Sequence, residues 1–263
     1  MIEKISINEI EKKLSVDNNP FPNSISENFL PLEIAKEAEN EFINFNNLQS
    51  AGGYRYGNLK FHYDNFEKMP ESIKNLILFF YSQNFLKLLE KKFNLRNLKP
   101  DWSLLGGGMH ASSSGGNLKV HSDFIYNRKK SLRRVLNLLF YLNSNWKDEW
   151  KGNIELWNKN MSSKVKELSP KLNNLLIFRT DKDSNHGFPD SINCPENVKR
   201  KSIALYYYVE EKDILPIRVK MRKYYTTQWK KRPGSNDPEF MDKDSLWRKI
   251  KYKYLPSFII KRK

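Results

Sequence analysis

Beyond Pro100 the chain breaks into short apolar runs separated by turn-forming residues, and no other feature restricts its fold as much. Runs of this length, rich in Val, Ile, Leu, Phe and Tyr and punctuated at this spacing, fit a β-sandwich or closed barrel. The expected strands are Trp102 to Leu105, Leu118 to His121, Val135 to Leu142, Ile154 to Trp157, Asn174 to Arg179 and Ser202 to Val209. Gly106-Gly107-Gly108 and Ser112-Ser113-Ser114-Gly115-Gly116 read as flexible links between the first two. The glycine triplet does not suit a phosphate cradle, because no Lys-Ser or Lys-Thr follows it and no helix opens there.

Before Pro100 the periodicity is helical. Leu32, Ile34, Ala35, Ala38 and Phe42 share one face after Pro31, and a second helix is expected after Pro70. A third begins near Ser82, with Phe85, Leu86, Leu88, Leu89 and Phe93 inward. The chain therefore divides into a peripheral N-terminal segment (1–19), an N-terminal strand with support helices (20–100), a β core (101–212) and a basic C-terminal extension (213–263). The fold class is an all-β core with helical support (α+β).

His121-Ser122-Asp123, read with His186 and Arg200-Lys201-Ser202, is the chemical signal. Residues i and i+2 of a strand project to one face, so His121 and Asp123 can bind one ion together while Ser122 points away. His186 lies 63 residues after Asp123 and must come from another strand. Two imidazoles and a carboxylate are the minimal set for a non-haem Fe(II) centre with positions left open for a co-substrate and O2. Arg200 offers a fork for a dicarboxylate co-substrate, and Ser202 shares its face. Asn137, Leu139 and Tyr141 alternate with Leu138 and Phe140, which puts an amide and a phenol together. His110 is weighed as a pocket wall, a surface residue or a further ligand. His62 and Cys194 read as packing or surface residues without a chemical task.

The formal net charge of +16 raises a polyanion reading, and its distribution decides how to treat it. Residues 1–100 balance at 13 basic and 13 acidic, whereas residues 215–263 carry 15 basic and 4 acidic. The excess sits mainly in the tail, and a solvated basic face is favoured over nucleic-acid binding. The apolar runs Leu76 to Tyr81 and Leu138 to Leu142 fall far short of the roughly 20 residues that a spanning helix needs. Leu246, Trp247, Ile250, Tyr254 and Phe258 among the tail lysines suit docking on the barrel, with membrane-surface contact as the weaker alternative. One cysteine and no signal-like start point to a cytoplasmic protein of unassigned oligomeric state.

Four blocks carry a family likeness: Gly115 to Phe124, Arg133 to Asn143 with Trp146, His186-Gly187-Phe188-Pro189, and Arg200 to Tyr208. In order, and preceded by Pro20-Phe21-Pro22 to Leu30, they resemble the prolyl-4-hydroxylase-like branch of the Fe(II)- and 2-oxoglutarate-dependent dioxygenases over residues 20–210. The resemblance implies a double-stranded β-helix (jelly roll) with N-terminal helices packed on one sheet. It also implies a hydroxylase in which His121, Asp123 and His186 hold Fe(II). Arg200, Tyr141 and Ser202 would then bind 2-oxoglutarate, with Asn137 lining the pocket. O2 is the second co-substrate and ascorbate a candidate reductant. Arg134 and His110 are candidate substrate residues, and the substrate is a prolyl or other peptidyl residue or a small metabolite. Two departures stand out. Gly152-Asn153 replaces the family's frequent paired glycines, and no tyrosine lies about ten residues before His121. The segment Thr226 to Gly234 resembles a C-terminal element of bacterial members and is read as a flap over the site or a structural strap. Two rival classes remain open: a catalytically silent β-barrel using its basic tail on nucleic acid or acidic membrane, and a cupin-like zinc metalloprotein.

Overall fold

A computed structural model of the protein describes residues 5–43, 45, 47–50, 57–127, 132–210 and 227–238. Tail residues 213–226 and 239–263, including Leu246, Trp247, Ile250, Tyr254 and Phe258, lie outside them. In chain order the elements are α1 (Ile7–Lys13), β1 (Asn23–Ser26), α2 (Leu32–Ile43), β2 (Gln49–Ser50), β3 (Gly57–Tyr63), α3 (Glu71–Phe80), α4 (Gln83–Phe93) and β4 (Lys99–Pro100). There follow β5 (Gly108–Ser122), β6 (Tyr126–Asn127), β7 (Leu132–Tyr141), β8 (Ile154–Trp157), β9 (Lys164–Leu168), β10 (Leu175–Arg179), β11 (Asn185–Phe188), β12 (Arg200–Glu210) and β13 (Gln228–Trp229).

The strands hydrogen-bond in the order β1-β10-β7-β12-β5-β11-β8-β9, with β3 and β13 also on β5. Every one of these pairings is antiparallel. The sheet curls into a nearly closed barrel, the jelly-roll double-stranded β-helix. Non-consecutive neighbours such as β7 and β12 are the long returns of that topology, and they bring residues far apart in sequence side by side.

Strand alternation decides what each face does. Leu136, Leu138 and Phe140 of β7, Leu175 and Ile177 of β10, and Ile203, Leu205 and Tyr207 of β12 join one apolar core with the helices. Tyr141, Leu176 and Phe178 fall in a second cluster on the opposite, barrel-interior face, where Leu139 also packs. The helices sit where their periodicity puts them. Ser82 caps α4 by accepting from the Phe85 amide at 3.3 Å, and Asn94 closes it in the left-handed conformation at φ 49°. Phe80 joins the layers: its ring centroid lies 5.3 Å from Phe85 and 5.6 Å from Phe140, and its carbonyl accepts from the buried Tyr207 hydroxyl. The N-terminal segment takes part as well, since Ile10 and Leu14 are buried in the same cluster.

Two sequence expectations need correction. Trp102 to Leu105 is a turn and not a strand: the Asp101 carboxylate accepts from the Ser103 amide and hydroxyl, Leu104 has φ 47°, and Trp102 is exposed. The local side-chain bond competes there with a ladder. Ser112 to Gly116 is not a flexible link but the middle of β5, which spans 15 residues. Its first half pairs with β12 and its second with β11, and Gly115, at φ 79°, lies between the two halves. β3 and β9 are strands that the apolar pattern did not announce.

Truncating the junction between helices and sheet tests this architecture. Phe80→Ala should lower the unfolding free energy by about 3–5 kcal/mol in urea titrations. Leu78→Ala, at an exposed position of the same helix, should change it by no more than about 0.5 kcal/mol.

Candidate metal and co-substrate site

Backbone register assembles the site. On β11, His186 sits directly opposite His121 of β5, and β5 ends one residue later at Ser122, with Asp123 just beyond. The two imidazole rings lie 4.5 Å apart between centroids. Asp123 approaches both, Oδ1 at 3.4 Å from His121 Nε2 and Oδ2 at 3.5 Å from His186 Nε2. One ligand atom from each residue lies within 4.8 Å of the others, a spacing that can hold a metal ion.

The strands reach this approach because residue 187 is glycine. A Cβ there would stand 2.8 Å from the Leu118 carbonyl and 2.9 Å from that of Lys119, closer than packed atoms allow. Both imidazoles are oriented from behind. His121 Nδ1 lies 2.8 Å from the Lys119 carbonyl and His186 Nδ1 lies 2.9 Å from that of Ser184. A carbonyl only accepts, so Nδ1 carries the proton in each ring and the Nε2 lone pair faces inward, as metal ligation requires.

Asp123 is held as firmly. Its Oδ2 accepts from Arg134 at 2.9 Å and from Asn137 at 2.7 Å, while Arg134 Nε donates to the Asn137 amide oxygen at 2.6 Å. Burial alone would raise this carboxyl, but the Arg134 charge and the two imidazoles more than offset it and keep the group well below the usual carboxylate range. Arg134, a sequence candidate for the substrate mouth, is 1% exposed, and its guanidinium carbon lies 3.4 Å from the Tyr206 ring centroid. Its fork is committed to Asp123 and Asn137.

Arg200 is also buried, but its partners differ. Nε donates to the Gly152 carbonyl at 2.6 Å, a terminal nitrogen donates to the Tyr141 hydroxyl at 3.2 Å, and the guanidinium packs over Phe188 at 4.3 Å. No carboxylate of the described residues pairs with it. Gly152, read as a departure from the family pattern, thus supplies the carbonyl that steadies this arginine. Arg200, Ser202, Asn137 and His110 line the same cavity as the triad.

Other wall residues escaped the sequence reading. Lys60 of β3 and Phe124 face the cavity, as do Thr227 and Trp229 of the C-terminal element. Trp229 pairs with His121 across the β13–β5 ladder and its ring lies 4.9 Å from the His121 ring, so this element folds against the site. Arg232 anchors it through Asp237 at 2.8 Å and Asp190 at 2.9 Å. The polar and aromatic alternation of Lys60-Phe61-His62-Tyr63 was the signal that could have revealed β3. His62 Nδ1 is buried without a hydrogen-bond partner among the described residues, and Cys194 packs beside Trp146, Phe188 and Ile192.

Comparison with known proteins places this architecture. Residues 107–208 match the model of the 2OG-Fe(II) oxygenase superfamily. The structure is similar to a prolyl-4-hydroxylase from Pseudomonas putida, with a TM-score of 0.55 and 14% identity over 77% of this chain and 99% of that one. It is also similar to a Trichoplax adhaerens prolyl hydroxylase in complex with a hypoxia inducible factor peptide fragment, with a TM-score of 0.54 and 20% identity over 79% and 90% of the two chains. A prolyl 4-hydroxylase from Phytophthora capsici gives 0.53 and 16% over 82% and 70%. At these identities the likeness is one of fold. A search of curated proteins returns no match. Among the described residues no helix is long and apolar enough to cross a membrane.

Two measurements probe the site. Gly187→Ala should weaken divalent metal binding by about tenfold or more, read by titration of the purified protein, because it forces β11 away from β5. The second concerns pH. Burial, with the neighbouring His121, lowers His186 to about 4, and burial together with Lys60 holds His110 well below its ordinary value. In the unfolded chain both return to roughly 6.5, so between about pH 6.5 and 4 the unfolded state takes up protons that the folded state refuses. Stability of the metal-free protein should therefore fall as the pH falls through that window, measured as the urea midpoint. His110→Gln should shallow the decline.

Proposed function

We propose that this chain is an Fe(II)- and 2-oxoglutarate-dependent dioxygenase that hydroxylates a C–H bond of a peptidyl residue or small metabolite. One observation carries the proposal: Arg200 is 5% exposed, faces the same cavity as the three metal-spaced residues, and has no carboxylate partner among the described residues. Burying an uncompensated guanidinium costs several kcal/mol, and a carboxylate ligand removes that cost. A zinc site with the same three ligands leaves Arg200 and Tyr141 without a task, so the oxygenase reading explains more of the cavity. A silent barrel explains neither cluster.

His121 Nε2, His186 Nε2 and one oxygen of Asp123 would hold the iron. Arg134 and Asn137 occupy the other carboxylate oxygen, fixing the ligand and its ionised state. The Arg200 fork, with the Tyr141 hydroxyl and Ser202 beside it, would take the distal carboxylate of 2-oxoglutarate. Bound iron and 2-oxoglutarate supply the coupled reduction of O2, releasing succinate and CO2 and leaving one oxygen for the substrate C–H. Leu139, Ile154, Phe178 and Phe188 make part of the wall apolar, which would help to exclude water from the charged contacts.

His121→Ala and Asp123→Ala should each abolish iron-dependent succinate formation, and turnover retained by both would overturn the proposal. Arg200→Leu should raise the half-saturating 2-oxoglutarate concentration by about 100-fold, the loss of a charge-assisted contact of about 2–3 kcal/mol. Metal affinity should stay unchanged in that variant. An unaltered co-substrate requirement would show that another group takes the carboxylate.

A further inference from the structure

Residues 227–238 lie beyond the stretch that matches the oxygenase model, yet they pack on the strand that carries His121. Gln228 pairs with Ser122 and Trp229 with His121, and the Lys230 amide donates to the Val120 carbonyl at 2.8 Å. That ladder is short for an element with little to bury. Trp229 is the one aromatic residue of the segment, no Val, Ile, Leu or Met accompanies it, and Asp237 alone of 227–238 is buried. Apolar burial is therefore a minor part of the attachment.

Charge supplies the rest. Asp237 Oδ2 accepts from Arg232 Nε at 2.8 Å, and Oδ1 accepts from Lys119 Nζ at 2.8 Å. Lys119 Nζ also donates to the Pro189 carbonyl at 3.0 Å, and Arg232 donates to Asp190 Oδ1 at 2.9 Å. The two cations thus join the end of β5, the turn after β11 and the C-terminal element. Each attachment is close to a ligand. Lys119 precedes His121 by two residues, and Pro189 and Asp190 follow His186 by three and four. The Lys119 carbonyl faces His121 Nδ1 at 2.8 Å, and it stands 2.9 Å from where a Cβ at residue 187 would lie. A shift of Lys119 therefore alters both the ring orientation and the strand spacing. Burial alone would raise the Asp237 carboxyl, but the bonds from Arg232 and Lys119 more than offset it and hold the group well below the usual carboxylate range. Removing it takes a partner from both cations at once.

We propose, resting on the dioxygenase reading, that Asp237 is a positioning residue for the metal ligands. By clasping Lys119 and Arg232 it holds β5 and β11 at the spacing that lets His121, Asp123 and His186 share one ion. The metal site is then incomplete without the C-terminal element. A merely structural strap would stabilise the barrel and leave the ligand spacing alone. The two roles separate by whether metal affinity follows the clasp or follows overall stability.

The test titrates the full chain with Co(II), whose visible absorption reports the geometry of its ligands. Asp237→Ala should weaken Co(II) binding by about tenfold or more and alter the absorption bands of the bound ion. Asp237→Asn keeps the shape without the charge, so it carries the test if the alanine variant does not fold, and it should weaken binding by about threefold or more. Lys119→Met should match Asp237→Ala, and the double variant should bind no more than about twofold more weakly than either single one, because both remove the same contact. Phe80→Ala, in the helix layer, should leave Co(II) affinity within about twofold despite its cost to stability. Unchanged affinity in the Asp237 variants overturns the proposal, and so do losses that multiply in the double variant. A loss in Phe80→Ala as large as that in Asp237→Ala also overturns it, since affinity then tracks stability. Failure of the dioxygenase reading shows separately, as wild-type protein that binds Co(II) with these clasp effects but takes up no 2-oxoglutarate. Wild-type protein that binds no Co(II) sinks both.

Discussion

The ladder between β5 and β11 is the contact on which the rest of the site depends. It sets His186 opposite His121, and the absence of a side chain at Gly187 lets the two backbones close to the spacing that three ligand atoms need. Everything around it serves to hold that ladder in place: the carbonyls of Lys119 and Ser184 fix the rings, Trp229 lies against one of them, and Phe178 packs at a tilt with its centroid 4.5 Å from the other. Rigid strands are better suited than loops to keeping ligands within the tolerance that metal chemistry demands.

Two buried guanidinium groups illustrate how one residue type takes different tasks in one cavity. Arg134 is neutralised from within the protein by Asp123, clamped by Asn137 and packed on Tyr206. Arg200 is steadied by a carbonyl and a phenol only, so its charge remains available to a ligand. The difference lies in the neighbours each strand register provides, not in the side chains themselves. Burial raises the stakes for both, because a charge removed from water has to find its compensation locally.

Much of the β core was legible because strand alternation leaves a period of two in the sequence. Asn137, Leu139 and Tyr141 turn inward and Leu138 and Phe140 outward, as the pattern at Val135 to Leu142 indicates. The helices after Pro31, Pro70 and Ser82 were equally clear, since proline, a capping serine and a 3.6-residue apolar period agree there. Ser112 to Gly116 misled, because small polar residues favour loops in isolation and only pairing with strands on both sides keeps them extended. Asp101 misled in the opposite direction by offering its own side chain as a partner to Ser103.

By itself, the sequence determined the candidate ligand types, the parity that puts His121 beside Asp123, and the apolar faces that force a sheet to pack against helices. These are properties of short stretches, governed by local periodicity and by the chemistry of single side chains. Only the tertiary structure decided that His186 faces His121, and that Arg134 grips Asp123 while Arg200 stays unneutralised by the described carboxylates. Those relations join residues from different strands. They depend on register, which is settled by the summed packing and hydrogen bonding of whole strands and so is written in no single segment.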